Sequence, residues 1–139
     1  SANLRITEFG GIARPYIWNG AGLSVKGTLV QMFTDSNTVA ISAVDDIDCI
    51  GVIYNSGVPS GSLVYVVFTG VAEVLLKDGV AGVTGANGWM GTHDVAGRAR
   101  CQANPGVLGL QLHSQEIGHC LLNVGAGIDV LTLCNLHFN

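Results

Sequence analysis

Glycine interrupts nearly every run of branched aliphatic residues in this chain, and that punctuation restricts it to short extended segments. There are 20 glycines in 139 residues, and the runs between them are rich in Val, Ile, Leu and Tyr. Branched and aromatic side chains pack well on a pleated surface, whereas glycine opens the dihedral space that turns require. No segment carries a long, capped 3.6-residue period, so little helix is expected. Predicted strands cover residues 25–32, 38–42, 49–54, 63–68, 71–76, 88–91, 98–102, 116–123 and 129–138. Ser60-Gly61 and Thr69-Gly70 read as turns or bends, and Lys77-Asp78-Gly79 as a hairpin turn. The expected fold class is all-β. At this length a single domain buries roughly 68–70% of the surface its unfolded chain exposes, enough for a core without metals or disulfides.

Two predicted strands are apolar on both alternating faces. Leu63-Val64-Tyr65-Val66-Val67-Phe68 is expected to be buried on both sides. In the last strand Val130, Cys134, Leu136 and Phe138 share one face, and Leu131 and Leu133 share the other. Burying one face on the domain's own core leaves the second in need of a partner. Leu131 and Leu133 are therefore candidate oligomer-interface residues.

Residues 1–24 have a different texture. Phe9, Tyr16 and Trp18 stand among Gly10, Gly11, Pro15, Gly20 and Gly22. This stretch is expected to be an extended N-terminal arm beside a single β domain at 25–139. Its three aromatic residues are candidate contacts to another protein, through addition of a strand to a sheet edge.

Charge supports assembly. Charged residues make up 12% of the chain, against about 25% in ordinary soluble domains, and mean hydropathy is +0.45. Interfaces are depleted in charge at their centres, so much of this surface is expected to face protein. The six basic residues are scattered, which argues against a direct nucleic-acid face, since phosphate binding needs clustered cations. No apolar run approaches the roughly 18–20 residues of a spanning helix, and the strand pattern is too irregular for a transmembrane barrel. Residues 1–9 lack a basic start followed by an apolar core, which predicts cytoplasmic synthesis. Cys49, Cys101, Cys120 and Cys134 lack zinc or redox spacing and are expected to be thiols.

No catalytic, cofactor or metal residues are predicted. In the stretch from His113 to His119, the two histidines share a strand face while Glu116 points to the other, and zincin spacing is absent. His119 and Cys120 are neighbours on a strand and point apart, so they form no dyad. Ser60 lacks the flanking glycines of a nucleophile elbow. Asp45, Asp46 and Asp48 lack a closing bidentate glutamate and read as a solvated loop. The glycine-rich stretch 79–88 has no Lys-Ser or Lys-Thr to complete a phosphate cradle and reads as a surface hairpin.

Several segments, in order, resemble the small head-decoration proteins of tailed bacteriophages: Val25-Lys26-Gly27-Thr28-Leu29-Val30, Ile50-Gly51-Val52-Ile53-Tyr54-Asn55, Gly61-Ser62-Leu63-Val64-Tyr65-Val66-Val67, Gly70-Val71-Ala72-Glu73-Val74-Leu75-Leu76, Glu116-Ile117-Gly118-His119-Cys120-Leu121 and Leu136-His137-Phe138-Asn139. The resemblance implies a compact β-barrel-like or β-tulip domain that forms a homotrimer on the outer surface of the major capsid protein lattice and stabilises the head against internal DNA pressure. It also implies location on the virion and no enzymatic activity. Rival readings are another virion β-protein (tail-tube, head-fibre base or adaptor subunit), or a small ligand-binding barrel or hydrolase.

Overall fold

A computed structural model describes residues 4–44, 46–79, 89–92, 95–102, 116–121 and 127–138. Ten strands are described: β1 (Arg5–Ile6), β2 (Ile12–Trp18), β3 (Leu29–Phe33), β4 (Asp35–Ile41), β5 (Cys49–Ile53), β6 (Leu63–Gly79), β7 (Trp89–Thr92), β8 (Ala99–Gln102), β9 (Glu116–Cys120) and β10 (Gly127–Leu136). The all-β class holds, and among the described residues no helix is long and apolar enough to cross a membrane.

Strands β2, β4, β3, β5 and β6 close into a five-strand barrel. Four of its pairings are antiparallel, and β2 with β4 is parallel. The far half of β6 runs on into a second circuit through β10, β9, β7 and β8, which returns to β6 by the single parallel pair Leu76–Ala99. Strand β6 is thus shared. Residues 63–69 pair with β2 and β5, and residues 70–79 pair with β10.

The bend between the two halves falls at Gly70, with φ +83°. A Cβ there would lie 2.8 Å from the Gly10 carbonyl oxygen and 2.9 Å from the Gly11 Cα. Glycine is needed twice over, for the dihedral and for the backbone that crosses it. The expected turn at Thr69-Gly70 is therefore a bend within one continuous strand. The expected hairpin at Lys77-Asp78-Gly79 is not formed: Asp78 and Gly79 continue β6 and pair with Ile128 and Gly127. Asp-Gly favours a turn locally, but the long partner strand offers the backbone a ladder instead. Residues 80–88 lie outside the described residues.

Sharing β6 explains its two apolar faces. Val64 and Val66 point into one core cluster with Tyr16, Trp18, Val30, Val39 and Ile53, drawn from all five staves of the first barrel. Val67, Ala72, Val74 and Leu76 join a second cluster with Met90, Ile117, Cys120, Cys134 and Leu136. The expected double burial of 63–68 holds only in part: Val64, Val66 and Val67 are buried, Tyr65 and Phe68 are half-buried, and Leu63 is 63% exposed.

The expectation of an arm over residues 1–24 needs correction. Residues 12–18 are a stave of the barrel, with six register partners on β6 between Ile12–Thr69 and Ile17–Leu63. Pro15 sits where β2 has β6 as its described neighbour and neither β1 nor β4 in register, the edge-like position that a residue without an N–H tolerates.

Candidate functional site

The described residues bring three chemistry-bearing side chains together on the second circuit: Glu116, His119 and His137. Two pieces of backbone geometry place them. Strand β9 carries a bulge against β7, whose register passes from Met90–Gly118 to Gly91–Glu116 and skips Ile117. An extra residue reverses strand parity, so Glu116 comes to the side occupied by His119. The second piece is the β9–β10 pairing, with Asn135 opposite His119 and the His137 amide donating to the Ile117 carbonyl at 2.8 Å. That pairing sets His137 diagonally across from His119, within reach of a shared partner. Gly118 permits the close approach. A Cβ at this position would run into the Asn135 carbonyl oxygen and lie 2.9 Å from Cys134 Sγ.

Within the cluster, Glu116 Oε2 lies 3.5 Å from His119 Nε2 and 3.6 Å from His137 Nε2. His137 Nε2 is 3.3 Å from His119 Nδ1, and the two rings tilt by 35°. The glutamate side chain is 10% exposed, against 43% and 46% for the two imidazoles. One donor atom from each of the three lies within 4.8 Å of the others. His137 also opens onto a surface groove of about 430 Å³ that it shares with Phe68, Thr69 and Phe138. A carboxylate held at the base of two accessible imidazoles suits a cation that prefers nitrogen and oxygen donors.

Sequence reasoning set Glu116 on the wrong face and left His137 out. The bulge that corrects the first leaves no clear sequence signal. The second follows from pairing the last two described strands in register. His113 lies outside the described residues.

The other sequence-derived candidates separate. Phe9 is partly exposed at 39%. Tyr16 and Trp18, at 7% and 2% exposure, line the first barrel. They are therefore unavailable as contacts to another protein, because their rings are the core of their own domain. Leu131 is 42% exposed and Leu133 half-buried, both on the solvent side of β10. Asp46 is a buried turn anchor rather than a solvated carboxylate: its oxygens accept from Ser42 Oγ at 2.7 Å and from the Asp48 amide at 2.8 Å. Asp45 is outside the described residues. Ser60 sits in a turn closed by the Ser62 amide on the Pro59 carbonyl. Cys120 is buried while His119 is half-exposed, so the neighbours do point apart.

Cys49, Cys120 and Cys134 are buried thiols. Burial raises the pKa of Cys49 to about 12 and also pushes up that of Cys134. A thiol that keeps its proton is a poor nucleophile, so neither residue suits covalent catalysis. The side chain of Cys101 lies outside the described residues.

Some exposed apolar side chains lie beside one another. Ile17 and Leu63 face each other directly across β2 and β6, and both are exposed. Met32, Ile47 and Ile50 line an open groove of about 590 Å³, of which Met32 and Ile47 are exposed. Comparison with family models, with curated proteins and with solved structures finds no match for this chain.

Proposed function

We propose that this chain is a structural protein of a phage head: a homotrimeric decoration protein that seats on the major capsid protein lattice and adds buried surface between capsid subunits. The observation that carries the reading is the combination of little surface charge with exposed apolar residues in adjacent positions. Ile17 and Leu63 form one such pair, and Met32 and Ile47 another. Six basic and ten acidic residues serve the whole chain, and a surface of this kind gains by being covered. Each contact is modest, but many copies around a closed shell bind as an array. The reading assigns no enzymatic step.

The test is to add purified protein to undecorated, expanded heads and image them by electron cryomicroscopy. Decoration at regular lattice positions, by a species with three times the 14.4 kDa chain mass, is expected. Ile17→Asp with Leu63→Asp should abolish it while preserving the β circular dichroism spectrum. A chain that polymerises into tubes or rings without heads would instead support a tail-tube or adaptor role. Failure to bind heads in any form would overturn the decoration reading.

A further inference from the structure

The geometry points to a divalent transition-metal site formed by Glu116, His119 and His137, with zinc as the ion it fits best. This inference stands apart from the capsid reading, since it rests on the donor set alone.

The first argument is distance. Zinc binds nitrogen and oxygen at about 2.0–2.2 Å in a tetrahedron, so two of its ligand atoms stand roughly 3.3–3.5 Å apart. Glu116 Oε2 and His137 Nε2 stand 3.6 Å apart, close to that spacing; His119 brings Nε2 to 3.5 Å from the carboxylate and its other nitrogen, Nδ1, to 3.3 Å from His137, and one donor atom from each of the three lies within 4.8 Å of the others. An octahedral magnesium site would draw neighbouring oxygens to about 3 Å and would avoid two imidazoles. His119 presents Nδ1 to His137 and Nε2 to Glu116. It therefore turns its ring to offer a single nitrogen to the ion, a motion that its exposure allows.

The second argument is support. The carboxylate is held on a bulged strand between β7 and β10, and His137 follows directly on β10. All three ligands thus stand on or directly beside a paired ladder, Glu116 and His119 on β9 and His137 just past β10, rather than on a free loop, which fixes a site more tightly. The third is access. The His119 and His137 side chains are 43% and 46% exposed, so an ion reaches them from solvent, and three protein ligands leave a fourth tetrahedral position for water or a small anionic ligand. An open fourth position is the arrangement of exchangeable zinc rather than of a closed structural site.

The experiment uses the full chain stripped with EDTA, titrated with zinc chloride by calorimetry and, separately, with cobalt(II) followed by visible absorption. The expected result is one ion per chain, with a cobalt spectrum of tetrahedral intensity. His119→Gln and His137→Gln should each weaken binding at least tenfold, while Glu73→Gln, outside the cluster, should leave it unchanged. Glu116→Gln should weaken binding similarly, but its side chain is buried, so His137→Gln is the deciding variant: its imidazole is exposed and its loss spares the core. Absence of zinc uptake by the wild-type chain would overturn the assignment. So would wild-type affinity in His137→Gln, or an equal loss in Glu73→Gln.

Discussion

The indole N–H of Trp18 donates to the Gly22 carbonyl oxygen at 2.8 Å, tying the end of β2 to the loop that follows it. The same ring is 2% exposed and packs with Val30, Val39, Ile53 and Val64. Removing it opens a cavity at one end of the barrel and leaves a carbonyl without its donor. Trp18→Ala is expected to cost about 3–5 kcal/mol, a large part of a small domain's stability. Truncation through Ile6 should leave a cooperative thermal transition, because Arg5 and Ile6 are exposed and pair with β2 alone. Truncation through Trp18 should abolish it. A folded, cooperative chain lacking residues 1–18 would show that β2 is dispensable and this account of the barrel wrong.

Strand positions were legible in the sequence because they depend on local composition. Runs such as 49–54 and 63–68 are branched, apolar and bounded by turn residues, and β5 and the first half of β6 lie there. The role of β2 was not legible. Its residues serve two clusters, Ala13 in one and Tyr16 with Trp18 in the other, so a clean alternation never appears, and Pro15 makes the run read as irregular. The Glu116, His119 and His137 cluster was hidden for a different reason. It depends on a bulge and on a cross-strand register, and neither is a property of any local window.

Gly70 and Gly57 separate dihedral strain from crowding. Both have positive φ, +83° and +84°. Around Gly57 a Cβ would find nothing within 4 Å, whereas at Gly70 it would press on the backbone of Gly10 and Gly11. Gly57→Ala is expected to cost about 1 kcal/mol from the dihedral alone. Gly70→Ala should cost at least about 2 kcal/mol, because the crossing segment must also move. Denaturant melts of both variants test this. Equal losses would mean that the close approach at Gly70 contributes nothing.

The buried thiols predict a loss of stability in alkali. Cys49 has a folded pKa raised to about 12 from an ordinary value of 9.0, by burial first and by the nearby Asp46 charge as a smaller cause. The unfolded chain releases this proton at lower pH than the folded one does. The contribution is therefore fully present below about pH 9 and is lost as pH rises towards 12. Across that window each such thiol adds a slope of about 1.4 kcal/mol per pH unit. Urea melts between pH 8 and pH 11 should show the decline, with a shallower slope in Cys49→Ala. Identical slopes in the two proteins would indicate that Cys49 ionises freely in the folded state.

The outer face of β10 carries the last prediction. Leu131 stands opposite Leu75 on β6, and Leu133 stands opposite Glu73. Glu73 in turn pairs with Lys26 at 3.3 Å, with both side chains partly exposed, a contact worth at most about 1 kcal/mol. The face thus grades from apolar at Leu131 to polar beside Leu133, the pattern of an interface centre and its rim. In the proposed trimer Leu131 is buried three times over, and fully burying one leucine stabilises by about 1.5–3 kcal/mol. Leu131→Asp is expected to dissociate the trimer, and Leu133→Asp to weaken it less, with both retaining β circular dichroism. Light scattering over a concentration series, beside thermal melts, reads both effects. If Leu131→Asp keeps the wild-type mass and melting temperature, that face is exposed in solution and the trimer contact lies elsewhere on the molecule.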